Sequence, residues 1–356
     1  MDRYGVLPCR HRCHCAHVDP IERTMDDDER WMDEAVHEAS LQRAVTSPNP
    51  WVGAVILDRA GQVCGRGGTG PVGEAHAEVV ALRAAGDRAH GGTLYVTLEP
   101  CSHYGRTPPC TEAIIAAGIS RVVYGVQDPD SQVSGAGIAA LRAAGISVDS
   151  TRSQQVSDQL APYLHHRRTG LPYVVLKTAA TIDGRTAAAD GTSQWITGLE
   201  ARTDGHRLRA ESDAILVGAG TVRADDPALT VRHCAGRDPL RVVLGQAPAA
   251  ARVHPCWERS GPLEPILREL GERGVMQVLV EGGATVAHQF HTAGLVDRYV
   301  FYIAPAIMGG DDGPGIFQGG GAAGIGDVAR LRIVSITQLG QDLRIEMTPH
   351  IEAETP

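Results

Sequence analysis

His76, Glu78, Cys101 and Cys110 are the residues of this chain whose types and spacing point most directly to chemistry. One imidazole and two thiols suit Zn²⁺, and three protein ligands leave a fourth position for water. A carboxylate beside the histidine, but not itself a ligand, can move the protons of a metal-assisted hydrolysis. Taken singly, a His-x-Glu reads as surface decoration and two cysteines as small buried hydrophobes. Taken together, with each cysteine directly after a proline, they read as a zinc centre.

The elements that must hold these residues are legible around them. His76 and Glu78 open a helix predicted through Arg83, where the N-terminal dipole favours the carboxylate. Thr93 to Leu98 is β-branched and apolar, a strand that runs into Glu99-Pro100-Cys101. A second helix begins at Cys110 and continues to Gly118. A strand end and a helix start are settings that favour thiolate. The order H-x-E, P-C, C is that of the zinc nucleobase deaminases. Here eight residues, SHYGRTPP, separate the two cysteines, where that signature has two.

Upstream, a helix is predicted from Asp26, capped by Asp26-Asp27-Asp28. Ser47-Pro48-Asn49-Pro50 ends it. Trp51 to Leu57 reads as a buried strand with a hairpin partner at Gln62 to Gly65. Further strands at Arg121 to Val126 and Ile146 to Val148, with a helix at Gly137 to Gly145, complete a layered α/β domain over residues 26–150. Residues 151–171 read as a polar helix and linker. A second domain follows over 172–349. Its strand at Tyr173 to Leu176 carries Lys177, followed by the turn Thr181 to Arg185. A helix covers Gly198 to Ala210. Strands end at Gly218-Ala219-Gly220-Thr221 and at Glu281-Gly282-Gly283-Ala284-Thr285, where glycines open a helix whose N–H groups can receive phosphate. Each such junction is a weak signal alone. Strands at Leu240 to Leu244, Tyr299 to Ile303, Leu331 to Ile336 and Asp342 to Met347 fill out the sheet.

Composition bounds the function. A length of 356 residues favours two domains. A net charge of −9 argues against nucleic acid as a partner. No apolar run is long enough for a membrane helix. No signal-peptide pattern is seen, so the expected compartment is cytoplasmic, and the eight cysteines favour metal over disulfides. Lys177 is the sole lysine and Asn49 the sole asparagine. Each sits inside a motif, which suggests that Arg cannot replace the compact ammonium, nor another side chain the paired donor and acceptor. Cys9, His11, Cys13, His14, Cys15 and His17 form a Cys/His tract before Met25, read as part of a disordered extension (residues 1–25) or an early start.

Over residues 28–348 the chain closely resembles the bifunctional deaminase-reductases of riboflavin biosynthesis. The resemblance rests on Pro48-Asn49-Pro50 with Val52-Gly53, His76-Ala77-Glu78-Val79, Thr97 to His103, and Gly105 to Cys110. In the second half it rests on Asp183-Gly184-Arg185, Ser193 to Ile196, Ala224 to Thr230 and Glu281-Gly282-Gly283. It implies a cytidine-deaminase-like three-layer domain followed by a dihydrofolate-reductase-like α/β domain, with Zn²⁺ and NADPH as cofactors. The first would deaminate 2,5-diamino-6-(5-phosphoribosylamino)pyrimidin-4(3H)-one. The second would reduce the ribosyl chain to ribityl. His76, Cys101 and Cys110 would hold zinc and Glu78 would relay protons. Asn49 would orient the pyrimidine, and His103 and Arg106 in the long loop would meet the ribose phosphate. In the reductase, substrate contacts carry over to Ser193, Arg209, Leu229, Arg232 and Glu281, with Arg209 and Arg232 as phosphate clamps. Lys177 and Asp183 are placed at the same pocket. NADPH contacts carry over to Ala179, Trp195, Thr221, Asp225, Gly283, Ala284 and Thr285. A homo-oligomer is expected.

One stretch departs from the pattern. Gly245 to Leu263 is shorter than the family leads one to expect, which implies loss of a strand beside the cofactor's adenosine end. Two other readings share the motifs: a paralogue acting on a related pyrimidine or pterin, and a deaminase whose second half serves only for binding or oligomerisation.

Overall fold

The computed structural model describes residues 25–105, 107–130, 133–151 and 153–350. The Cys/His tract at residues 9–17 lies outside them. The first helix, α1 (Met25–Ser40), buries Met32, Ala35, Val36 and Ala39. It lies on β1 (Gly53–Leu57), all five residues of which are buried. Gly53 permits this approach, because a Cβ there would overlap the Ala35 carbonyl. β1 pairs antiparallel with β2 (Val63–Gly68), which extends three residues beyond the predicted hairpin arm, and with β3 (Thr93–Leu98). α2 (Ala77–Ala85) lies between these two strands in sequence and packs on β2. α3 (Cys110–Ala116) follows, and β4 (Arg121–Val126) then joins β3 in parallel. α4 (Ala136–Ala143) leads to β5 (Ser147–Ser150), also parallel, giving the order β2-β1-β3-β4-β5. β3 is thus central, and its C-terminal end delivers Cys101.

The segment expected to be a polar helix and linker is helical throughout most of its length and packs as part of this first unit. It forms α5 (Gln154–Gln159) and α6 (Ala161–Thr169). Val156, Leu160, Tyr163 and Leu164 join the same apolar core as β1 and β3. Their spacing is that of one helical face, which the surrounding Gln, Ser, His and Arg disguise. Trp51 and Gln159 lock the contact: the indole N–H donates to the Gln159 carbonyl at 2.9 Å, and the Gln159 amide donates to the Trp51 carbonyl at 3.1 Å.

The second sheet starts from β6 (Tyr173–Thr181). α7 (Leu199–Ala210), β7 (Ala214–Gly218), α8 (Ala219–Asp225), β8 (Leu240–Leu244), β9 (Trp257–Arg259) and α9 (Leu263–Glu272) follow. β10 (Gln277–Val280), α10 (Ala284–Thr292), β11 (Arg298–Ala304), β12 (Leu331–Leu339) and β13 (Asp342–Pro349) complete it. The strand order is β12-β13-β11-β6-β10-β7-β8-β9, parallel from β11 to β9 and antiparallel at the β12–β13 arm. The interior strands are continuous apolar runs because helices cover both faces. The expected loss of the edge strand is overturned. Trp257–Arg259 pairs with Val242–Leu244, and the Trp257 ring is covered by Arg259 and Arg273 at 3.6 and 4.5 Å. A short connection still reaches the edge because only three residues need pair.

Polar contacts join the two units. Ser47 hydrogen-bonds Asp213, and His166 Nε2 lies 3.1 Å from the Gly271 carbonyl. Among the described residues no helix is long and apolar enough to cross a membrane.

Candidate active sites

At the first site, His76 is the N-cap of α2 and Glu78 lies in its first turn. Cys101 follows β3, and Cys110 opens α3. A Cβ on Gly137, at the start of α4, would overlap the Pro100 carbonyl, so this glycine lets α4 buttress the Cys101 segment. The sulfurs of Cys101 and Cys110 lie 3.6 and 3.3 Å from His76 Nδ1. Ligands sharing one zinc, at about 2.3 Å for sulfur and 2.0–2.1 Å for nitrogen in a tetrahedron, stand about 3.5 Å apart. The donor set therefore fits zinc, with Nδ1 as the imidazole donor. The hydrogen bond from Cys110, with further help from His76, lowers the Cys101 thiol to about 4. Glu78 is 4% exposed, and burial raises its carboxyl.

A cavity of about 300 Å³ opens onto this centre. Asn49, Glu78, His103 and Thr107 line it, as do Asp128, Tyr163 and Arg167, which sequence reasoning missed. Arg106 lies outside the described residues. The Tyr163 hydroxyl donates to Asp128 at 3.0 Å. Arg167 lies over the Tyr163 ring at 5.1 Å and 3.6 Å from Asp130. Tyr163 and Arg167 escaped notice because residues 151–171 read as a polar helix and linker. Glu99, quoted in the Pro-Cys motif, is structural: its carboxylate accepts backbone N–H groups from Asp128, Gly135, Gly137 and Ile138.

The second site comprises two adjoining cavities of about 1120 and 630 Å³ that share Lys177, Ala179, Ser193, Thr221, Asp225 and Glu281 among their walls. The larger runs along the start of α10, with Gly283, Ala284 and Thr285 in its wall. Thr221 Oγ1 accepts the Gly283 N–H at 3.2 Å, which joins α8 to α10 at this wall. Thr178 lines the same cavity, and its buried hydroxyl has no hydrogen-bond partner among the described residues. A helix N-terminus, glycine backbone and an orphan hydroxyl fit a phosphate-bearing dinucleotide. The smaller cavity holds Trp195, Arg209, Leu229 and Arg232. Leu229 adopts φ 52°, a left-handed conformation that costs a non-glycine residue about 1–2 kcal/mol.

Two placements differ from expectation. The Arg209 guanidinium is not free to clamp phosphate: Nε and Nη2 fork onto Glu281 at 2.7 and 3.0 Å, and Nη1 donates to the Thr230 carbonyl. Lys177 approaches the same carboxylate at 3.5 Å. Burial alone would raise Glu281, but Arg209 and Lys177 prevail and lower it to about 2. Arg232 is exposed and, with Arg202 and Arg252, lines the cavity. Asp183 does not line either cavity. It accepts backbone N–H groups of Met308 and Gly309 at 3.3 and 2.8 Å, tying the turn after β6 to a later loop. His206 was missed as a wall residue. Burial, then Arg209 and Arg232, lowers it to about 4, so it is neutral at pH 7, with Nδ1 accepting the Arg232 N–H. Its three-residue spacing from Arg209 on α7 is the signal that could have found it.

Models of two families match the chain: the cytidine and deoxycytidylate deaminase zinc-binding region over residues 25–126, and the RibD C-terminal domain over 172–345. The riboflavin biosynthesis protein RibD of Mycobacterium tuberculosis is 45% identical over 346 residues, covering 92% of this chain and 98% of that protein. The Escherichia coli protein of the same name is 39% identical over 364 residues, covering 90% and 99%. The solved structure of Acinetobacter baumannii RibD matches with a TM-score of 0.85 at 36% identity, covering 92% of this chain and all of that one. With a zinc-binding deaminase unit and an NADPH-dependent reductase unit in one polypeptide, this chain belongs to the RibD family, the bifunctional deaminase-reductases of riboflavin biosynthesis.

Proposed function

We propose that the first site hydrolyses 2,5-diamino-6-(5-phosphoribosylamino)pyrimidin-4(3H)-one to the uracil, releasing ammonia. The second site then reduces the ribosyl chain with NADPH to give 5-amino-6-(5-phosphoribitylamino)uracil. The carrying observation is one cavity that brings the zinc ligands His76 and Cys101 together with Glu78, Asn49, His103 and Arg167, with the third ligand, Cys110, buried behind them. Zinc, when bound, lowers the pKa of a water toward about 7. Glu78 takes a proton from the attacking water and returns it to the leaving amine. Asn49 offers a donor and an acceptor to the pyrimidine edge. Among the described residues of this wall Arg167 is the only guanidinium, set against Glu74, Glu99, Asp128 and Asp130. A dianionic phosphate needs such a partner, so Arg167 joins His103 and Arg106 at the phosphate end.

In the reductase, NADPH supplies the hydride when bound. Gly283 to Thr285, Thr221, Asp225, Ala179 and Trp195 hold it. Lys177 and Glu281 lie where the two cavities meet and orient the substrate, and Ser193, Leu229 and Arg232 complete its seat. The residues' main contribution is to hold donor and acceptor together while the cofactor carries the chemistry.

Arg106→Ala and Arg167→Ala are each expected to raise KM for the phosphorylated substrate about 10-fold or more, the worth of a charge-assisted hydrogen bond. Zinc content should stay normal. Steady-state kinetics with metal analysis checks this; an unchanged KM in both variants contradicts the phosphate assignment. The chain is also proposed to be a cytoplasmic homo-oligomer. Ile333, Ile336 and Leu343 are exposed on the β12–β13 arm, an apolar surface suited to a second copy. Light scattering on the purified protein checks that reading, and a monomer at micromolar concentration contradicts it.

A further inference from the structure

His254 and Cys256 flank a bend at Pro255 just before β9, and Glu258 lies on β9 itself. Their donor atoms all lie within 4.8 Å of one another. Cys256 Sγ stands 3.5 Å from His254 Nδ1. That is the spacing of two ligands on one zinc, about 3.5 Å from the usual bond lengths, and it falls between the 3.3 and 3.6 Å seen at His76.

The surrounding backbone already aims these groups. His254 Nε2 lies 3.0 Å from the Pro248 carbonyl, so Nε2 carries the proton and Nδ1 turns its lone pair toward Cys256. Metal-binding histidines are commonly oriented by such a bond from the other ring nitrogen. Glu258 Oε1 accepts the Ala247 N–H at 2.9 Å, which leaves the second carboxylate oxygen for a ligand bond. Arg241 donates to the carbonyls of Val253 and His254 and holds the bend that brings the three together.

We propose that His254, Cys256 and Glu258 form a second, structural zinc site, separate from the catalytic centre. A thiol and an imidazole select a borderline-soft ion over calcium or magnesium. Water supplies the fourth ligand. The ion ties the loop at Ala247 and Pro248 to the edge strand β9. Gly245, Gln246, Arg259, Ser260 and Gly261, which flank those anchor points, line the large cofactor cavity. The site therefore braces one wall of that cavity. This inference does not depend on the substrate proposed above.

The test is zinc per chain, measured by mass spectrometry on full-length protein reconstituted with excess zinc and desalted. Because the Cys/His tract near the N-terminus can also take metal, the readout is the difference between proteins. Cys256→Ser and His254→Ala should each hold one zinc fewer than wild type, with deaminase kcat unchanged and KM for NADPH raised. Equal zinc in wild type and both variants overturns the site. Should the variants not fold, cobalt titration of the wild type in competition with a chelator replaces them. Protection of Cys256 from alkylation on metal binding supports the site, and unchanged alkylation of Cys256 overturns it.

Discussion

Glu78→Gln is expected to lower deaminase kcat by about 10²–10⁴-fold, the contribution of a positioned general acid–base group. The amide keeps the shape of the carboxylate, and the side chain is already buried, so zinc content and fold should not change. NADPH oxidation with the deaminated intermediate should match wild type, because the reductase cavities share no wall residue with the zinc cavity. Ammonia release and metal content together decide the role. A variant that loses zinc would make Glu78 a ligand, and one that keeps near-normal turnover would remove it from the proton path.

The second large effect is expected at Arg209. Arg209→Ala strips the forked partner from a carboxylate that is 9% exposed, leaving, among the described residues, Lys177 at 3.5 Å. Breaking a buried pair in this way costs about 3–5 kcal/mol. Reductase turnover should fall as Glu281 and Lys177 lose their register, while ammonia release continues. The effect has a pH signature. Glu281 is lowered to about 2 in the folded protein, against an ordinary value near 4.5. Its depressed pKa contributes stability above about pH 4.5, and that contribution is lost as pH falls toward 2. Thermal unfolding at pH 6 and pH 3 should therefore show a smaller acid sensitivity in Arg209→Ala than in wild type. Equal acid sensitivity contradicts the ion cluster as described.

Much of this was readable from residue order, and the failures share a cause. His76, Glu78, Cys101 and Cys110 could be read because a metal constrains residue type as well as spacing. The buried strands were readable because their apolar runs are uninterrupted. The packing of residues 151–171 into the first core was missed because Val156, Leu160, Tyr163 and Leu164 were hidden among polar neighbours, and Arg167 went with them. Asp183 and Arg209 were placed by motif, but motifs do not say which way a side chain turns. Asp183 turns to the backbone of Met308 and Gly309, and Arg209 turns to Glu281 rather than to a ligand. Such pairings depend on elements far apart in sequence. The β9 edge was judged lost from length alone, although a strand pair needs few residues.

The central claim is that two coupled sites act in sequence on one small pyrimidine. Purified full-length protein given the diamino substrate and NADPH should release ammonia and consume NADPH in equal amounts. After removal of zinc with a chelator, both signals from the diamino substrate should stop, while NADPH oxidation with the deaminated intermediate continues. NADPH consumption from the diamino substrate without ammonia release, or no oxidation with the deaminated intermediate in the untreated enzyme, would contradict the account.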